Sequence, residues 1–124
     1  MRFEAAVAAE GFGAIAEFKR RSPSAGDIRP GADVAEIAAA YEHAGARAMS
    51  VLVDERFGGT WDDLRAAREA TTLPLLAKGF FSTPDELRTA REAGAAAFAS
   101  CSACFAISTL FWLSTGPLFQ FTFR

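Results

Sequence analysis

The chain has 124 residues, of which 51% are hydrophobic and 23% charged, and its formal net charge is −2. A chain of this length buries one core, and it has about half of the roughly 250 residues of a complete (β/α)8 barrel. The balanced charge excludes a basic surface for nucleic acid, and two cysteines are too few for a disulfide framework.

Residues 1–12 are rich in alanine and predict a short helix, which Gly11 and Gly13 end. Glu4 and Glu10 interrupt the apolar residues of this segment, so it lacks the continuous hydrophobic stretch of a signal peptide. We therefore expect a cytoplasmic protein.

Residues 14–16 predict a short buried strand, and residues 22–26 after it have the composition of a loop. Between them, strand alternation places Glu17 and Lys19 on one side and Phe18 on the other. A carboxylate and an ammonium group at the carboxyl end of a buried strand are poor packing residues. They indicate a functional site.

Three helices, each followed by an apolar strand, come next in the sequence. Capping residues precede the helices, and glycines follow the first and the third. Repeated β-α units of this size predict parallel strands with right-handed crossovers. The predicted elements are a helix over 33–45, a strand over 46–53, a helix from residue 60, a strand over 73–77, a helix over 83–94 and a strand over 95–99.

The last part of the chain differs in composition, because residues 93–123 contain no charged residue. Three interpretations remain open for its end: a frameshifted or mis-spliced product, a membrane-inserting segment, or ordinary core. A membrane span needs about 20 apolar residues, and residues 114–117 interrupt this stretch. Cys101 and Cys104 form a CxxC motif, but with one distant histidine, His43, we do not expect a metal or redox site.

Lysine is used sparingly in this chain, which has eleven arginines but only Lys19 and Lys78 among its lysines. Both lysines fall at the carboxyl ends of predicted strands. A lysine, unlike an arginine, can release its proton when burial or a neighbouring cation lowers its pKa. Two such groups together would attract an anionic substrate and supply a general acid.

Each candidate residue also has an interpretation without chemistry. The lysines can simply pair with a carboxylate such as Glu17, which would then be a structural ion pair. Ser22 can be a turn residue or a hydrogen-bond donor to an anion. Phe57 and Phe80, after the second and third strands, can be core residues or an apolar wall for an aromatic ring.

Three ordered stretches carry a family resemblance: EFKRRSPS at 17–24, SVLVDERFGG at 50–59 and LPLLAKGF at 73–80. They resemble indole-3-glycerol phosphate synthase, a tryptophan-pathway lyase, and the likeness runs from about residue 15 to about residue 100. Periodicity alone leaves a barrel and an open doubly wound sheet undecided. The resemblance implies a partial (β/α)8 TIM barrel of about four β-α units over residues 1–100, and an apolar tail without resemblance over 101–124.

The resemblance also implies a reaction: ring closure and decarboxylation of 1-(2-carboxyphenylamino)-1-deoxyribulose 5-phosphate, with no cofactor or metal. By position in the motifs, Lys78 matches the general acid. The other matches are Lys19 for holding substrate anions and balancing developing charge, Glu17 for positioning substrate, Ser22 for a polar contact with substrate, and Phe57 and Phe80 for lining the ring pocket. Gly79 departs from the pattern, because the residue after the strand-three lysine is usually acidic in the family.

The family's general-base glutamate, its asparagine and its phosphate-binding loops would lie beyond Ser100, where no residue matches them. The resemblance therefore implies a truncated, impaired synthase. The alternative is a non-catalytic half-barrel that oligomerises or aggregates, and a weaker one is phosphoribosylanthranilate isomerase, which the loop at 19–24 disfavours. A half-barrel would leave its first and fourth strand edges unpaired and the inward side chains Ile15, Val51 and Leu75 uncovered.

Overall fold

The computed structural model describes residues 3–101, 108–112 and 120–122. In these parts of the chain, one six-stranded sheet is covered by helices, and a small hairpin follows the first strand. The strands are β1 (Ile15–Phe18), β2 (Arg21–Ser22), β3 (Gly26–Asp27), β4 (Ala48–Leu52), β5 (Leu75–Gly79), β6 (Ala97–Cys101), β7 (Ser108–Trp112) and β8 (Gln120–Thr122). The helices are α1 (Phe3–Ala8), α2 (Val34–His43), α3 (Trp61–Ala70) and α4 (Pro84–Glu92), with a short 3-10 helix at Glu55–Phe57.

The large sheet has the strand order β1-β4-β5-β6-β7-β8. Its first four strands are parallel, as the repeated β-α pattern predicted, and α2, α3 and α4 connect them. Strands β7 and β8 are antiparallel to their neighbours. The hairpin of β2 and β3 lies in the loop between β1 and α2.

The two faces of the parallel strands have different partners. The outer face packs on α2, α3 and α4 in one apolar cluster that includes Phe18, Met49, Val51, Leu64 and Leu75. On the inner face, Phe3 of α1 packs with small residues and one leucine, in a second cluster formed by Phe3, Ala48, Leu76, Ala97 and Ala99. The side chain of Phe3 is only 1% exposed, so α1 closes the amino-terminal half of this face.

The prediction that Val51 and Leu75 face inward was wrong. Both are fully buried in the outer cluster, because Val51 pairs with Phe18 and Leu75 with Met49 on the helix-covered face. Ile15 shares the inner face with Glu17 and is 46% exposed, as expected for an uncovered residue. The expectation of an unpaired edge at the fourth strand was also wrong, because β7 pairs with β6.

The helix starts follow from local sequence. Thr60 and Thr83 each cap a helix and complete a reciprocal capping box, with Asp63 and Glu86 as the respective partners. Such a cap contributes about 1 kcal/mol of helix stability. At the start of α2, the side chain of Asp33 caps the helix by accepting a hydrogen bond from the backbone N–H of Ala35 at 2.8 Å.

The structure describes the end of the chain only in part. Residues 102–107, 113–119 and 123–124 lie outside the described residues, and so does Cys104 of the CxxC motif. Within the described ranges, no helix is long and apolar enough to cross a membrane.

Glu86 gives a pH prediction for the start of α4. Its carboxylate accepts hydrogen bonds from the backbone N–H groups of Ser82 and Thr83 at 2.6 and 3.0 Å, and these bonds lower the pKa of Glu86. Because the folded pKa is lowered, the stabilising contribution is complete above the unfolded value of about 4.3 and is lost as pH falls through the folded value. An NMR titration of the Ser82 and Thr83 amides should show a midpoint below about 4.3.

The matched variant is Glu86→Gln, in which the same amides should show no such transition. A midpoint at or above the ordinary glutamate value in the original chain would contradict the assigned hydrogen bonds.

Candidate active site

The carboxylate of Glu17 lies between the two lysines of the chain. Its Oε2 accepts a hydrogen bond from Lys78 Nζ at 2.9 Å, and its Oε1 is 3.8 Å from Lys19 Nζ. The side chains of Lys78, Glu17 and Lys19 are 26%, 33% and 38% exposed, respectively. The structure therefore brings together the three residues that the sequence predicted to be catalytic.

Strand register produces this arrangement. Glu17 of β1 is level with Ser50 of β4, and Lys78 of β5 is level with Leu52 at the end of β4. All four side chains belong to the inner face, because residues two apart on a strand point the same way. The carboxyl ends of parallel strands are where barrel enzymes place their catalytic groups.

Two residues that sequence reasoning missed support Glu17. Ser50, only 3% exposed, donates from its hydroxyl to Glu17 Oε2 at a long 3.5 Å. Tyr41 of α2 donates from its hydroxyl to the backbone carbonyl of Glu17 at 2.9 Å. A serine within the apolar strand at 46–53 was the available signal for the first contact. The contact of Tyr41 with Glu17 joins residues 24 positions apart, and no local sequence pattern predicts it.

The three charged side chains add little to the free energy of folding, but they set the local charge of the site. Because all three side chains still contact water, each ion pair is worth at most about 1 kcal/mol. Two ammonium groups and one carboxylate give this cluster of three side chains one formal positive charge in excess. Such a cluster can hold an anion and place an ammonium proton beside it.

The two candidate aromatic residues contact each other. The rings of Phe57 and Phe80 stack with centroids 6.2 Å apart and an interplanar angle of 15°. The guanidinium of Arg56 lies 4.3 Å from the centroid of Phe80. The pair thus forms an apolar surface at the ends of β4 and β5, with a cation over one ring.

Ser22 has a turn role in the structure. Its hydroxyl accepts a hydrogen bond from the backbone N–H of Ala25 at 3.0 Å and lies 3.4 Å from the hydroxyl of Ser24. Ser22 as a whole is buried, with 8% of its surface exposed. These contacts match the turn interpretation of the sequence, and a contact with substrate stays a prediction.

Gly79 follows Lys78 without being required by the backbone or by packing. A Cβ added there would lie 3.5 Å from Cβ of Asp54 and 3.5 Å from the ring of Phe81, which are ordinary contacts. A cavity of about 190 Å³ adjoins this position, and Asp54, Trp61 and Phe81 are among its lining residues. A side chain at residue 79 would therefore enter existing space.

Arg20 and Asp63 form an ion pair that sequence reasoning also missed. The guanidinium binds both carboxylate oxygens of Asp63, at 2.6 and 2.8 Å, and the two side chains are only 19% and 10% exposed. The hydrogen bond to Asp63 raises the pKa of Arg20, so the guanidinium stays charged. Removing one partner would leave a largely buried charge, at a cost on the order of 3 kcal/mol.

No metal site accompanies these groups in the described residues, where no three His, Cys, Asp or Glu side chains lie close enough together to hold an ion. The chemistry that the cluster supports is anion binding and proton transfer by ammonium groups.

Four parallel strands alternate with helices, and two of them, β1 and β5, carry ionisable side chains at their carboxyl ends; together they define a partial barrel of the (β/α)8 class. A family profile described as indole-3-glycerol phosphate synthase matches residues 2–100. The chain belongs to the indole-3-glycerol phosphate synthase family.

Individual relatives agree with this assignment. The chain is 50% identical over 92 residues to the indole-3-glycerol phosphate synthases of Mycolicibacterium gilvum and Mycobacterium ulcerans, which covers 73% of this chain and 34% of each relative. It is 48% identical over 82 residues to the enzyme of Hyphomonas neptunium, which covers 65% of this chain and 31% of that relative. The matched segment is thus about a third of the length of these relatives.

The stacked pair can be tested by a double-mutant cycle. Phe57→Leu, Phe80→Leu and the double variant should show a coupling free energy of about 0.5 to 1.5 kcal/mol in unfolding experiments, because each single change removes the ring contact. Phe12→Leu is the control, since Phe12 is 97% exposed and should be close to neutral. Strict additivity of the two single changes would show that the rings do not interact.

Proposed function

We propose that this chain contributes to the reaction of its family: ring closure and decarboxylation of 1-(2-carboxyphenylamino)-1-deoxyribulose 5-phosphate to indole-3-glycerol phosphate. The observation that carries this proposal is the contact of Lys78 and Lys19 with one carboxylate, Glu17, at the carboxyl ends of β1 and β5. The excess positive charge there suits a substrate with a carboxylate and a phosphate.

Lys78 is the proposed general acid. Its Nζ would protonate the ribulose carbonyl oxygen as the aromatic carbon attacks, which turns that oxygen into a hydroxyl group. Loss of carbon dioxide then leaves its bonding electron pair to the aromatic ring. The hydroxyl group needs a second proton to leave as water, and a proton is released from the neighbouring carbon as the indole double bond forms. The contact with Glu17 at 2.9 Å supports this role, because it holds the ammonium proton donor in one place without removing it from water. Lys19, 38% exposed, is the more accessible cation and is the proposed ligand of the substrate's anionic groups.

The remaining roles follow from position. Glu17 orients both ammonium groups, and Phe57 with Phe80 forms the apolar wall for the anthranilate ring. Ser22, at the hairpin of the loop after β1, is the proposed polar contact to substrate. No cofactor is needed for this chemistry, and the cytoplasmic location stays a prediction.

A second candidate function is self-association without catalysis. Strand β1 is bonded to β4 on one side, and its residue Ile15 is 46% exposed, while Phe12 just before it is 97% exposed. Apolar side chains next to a sheet edge favour pairing with a second copy. The two functions differ in a direct observable, which is turnover.

Lys78→Arg tests the general-acid role in a chimera whose residues 2–100 replace the matching segment of the Mycolicibacterium gilvum relative. The substitution keeps the charge and removes the transferable proton, so kcat should fall at least 100-fold while KM stays within several-fold. The matched variant Lys19→Arg should raise KM less than Lys19→Ala. Retained turnover in Lys78→Arg would remove the general-acid assignment.

The 124-residue chain itself should form a folded oligomer and should produce no detectable indole-3-glycerol phosphate. Light scattering of the purified chain and the fluorescence of the product measure the two properties. A soluble monomer with turnover similar to that of the relatives would contradict this prediction and would show that the site described above is sufficient.

A further inference from the structure

Lys19 lies just beyond the end of β1, and Phe57 is the last residue of the short 3-10 helix in the connection after β4. The ladder between these strands ends at the pair of Phe18 and Val51, so it does not set the positions of residues further along the chain. The relative position of the two candidate residues must therefore be fixed by contacts within the loops.

Arg20, the neighbour of Lys19, makes these contacts. Its backbone N–H donates to the carbonyl of Phe57 at 3.3 Å, and its carbonyl accepts from the N–H groups of Ile28 and Arg29 at 2.8 and 2.9 Å. The main chain of Arg20 is therefore bonded both to the loop after β4 and to the segment that closes the hairpin.

The side chain of Arg20 crosses between the same segments. Nε donates to the carbonyl of Ala32 at 3.1 Å, and Nη1 donates to the carbonyl of Gly58 at 2.9 Å. The guanidinium also lies 5.0 Å from the ring centroid of Phe18, which is 3% exposed. One side chain thus contacts β1, the loop before α2 and the loop after β4.

Asp63 anchors this guanidinium to a helix. Its two oxygens bind Nη1 and Nη2, and Oδ2 also accepts from the backbone N–H of Thr60 at 3.0 Å within the capping box of α3. Asp63 is 8% exposed and sits in the first turn, where the helix dipole favours a carboxylate. The anchor is therefore a fixed group, and not a mobile loop side chain.

Two glycines allow the turn after Phe57 to lie close to Arg20 and to the end of β4. Gly58 has φ of 67°, and an added Cβ would lie only 3.2 Å from Cβ of Arg20. At Gly59, an added Cβ would lie 1.8 Å from the carbonyl oxygen of Leu52, a direct clash. The turn after Phe57 is thus packed directly against the end of β4 and against Arg20.

We propose that Arg20, held by Asp63, is a positioning residue that fixes Lys19 and Phe57 relative to each other. The proposal rests on the proposed function, since that function gives Lys19 and Phe57 a substrate. It requires arginine at this position, because a planar fork with several donors reaches the carboxylate and both carbonyls, whereas an ammonium group cannot match that geometry.

The test uses the chain labelled with ¹³C at the lysine Cε only, which gives two side-chain NMR signals, one each from Lys19 and Lys78. In Arg20→Gln and in Asp63→Asn, the Lys19 signal should shift toward its position in the urea-unfolded chain. The Lys78 signal should move less, because Lys78 lies within β5 and is flanked in the sheet by Leu52 of β4 and Ala99 of β6. The amide of residue 20 should exchange with solvent at least tenfold faster.

The matched control is the exposed pair of Arg65 and Asp62, which lies on the same helix with a 2.7 Å contact. Arg65→Gln and Asp62→Asn should leave both lysine signals and the exchange of residue 20 unchanged. A folded Arg20→Gln or Asp63→Asn variant whose Lys19 signal stays at the control position would overturn the proposal, even if its thermal midpoint falls.

A measurement on the unsubstituted chain covers the case in which neither variant folds. The Nε–H of Arg20 should exchange at least tenfold more slowly than that of Arg65, and equal rates would overturn the proposal. Substrate enters none of these readouts. Failure of the general-acid assignment in the Lys78→Arg experiment is therefore distinguishable from failure of the positioning role.

Discussion

The ion pair of Glu17 and Lys78 joins β1 to β5 across β4, between residues 61 positions apart in the chain. This contact needs three parallel strands in one register, with both side chains on the inner face. A slip of one residue in β1 or in β5 would turn Glu17 or Lys78 toward the helices, where no water would reach its charge. Ser50, between the two partners on β4, contributes its hydroxyl to the same carboxylate.

The rest of the structure keeps that register. The outer face of the parallel strands is apolar and covered by α2, α3 and α4, so a register change would expose the residues of the main core. On the inner face, Phe3 fills the space at the amino ends of the strands, and the charged groups occupy the carboxyl ends. The packing residues and the candidate catalytic groups thus lie at opposite ends of the same face, the arrangement found in complete barrels.

Local signals predicted much of this arrangement. Thr60 and Thr83 mark helix starts because a capping box lies within four residues of sequence. Glu17 and Lys19 are expected on the same side of the sheet because side chains two residues apart on a strand point the same way. The orientation of Val51 and Leu75 was not predictable in the same way. A strand buried on both faces is apolar at every position, so its sequence does not show which residues face the helices.

Long-range contacts were the other failure of prediction. The ion pair of Arg20 and Asp63 spans 43 residues, and neither residue carries a pattern that names its partner. Strands β7 and β8 pair antiparallel with the sheet, although the uncharged end of the chain shows no clear alternation. Such pairings depend on the surface that the preceding strands present, and sequence periodicity does not describe that surface.

The most direct test of the account is the effect of Glu17→Gln on the two lysine signals of the chain labelled with ¹³C at the lysine Cε. The account predicts that both signals move, and that Lys78 moves more than Lys19, because the contacts with Glu17 are 2.9 and 3.8 Å long. Glu36→Gln, on α2, is the control and should move neither signal. If the Lys78 signal stays in place in a folded Glu17→Gln variant, Glu17 does not hold Lys78, and the proposed site is wrong.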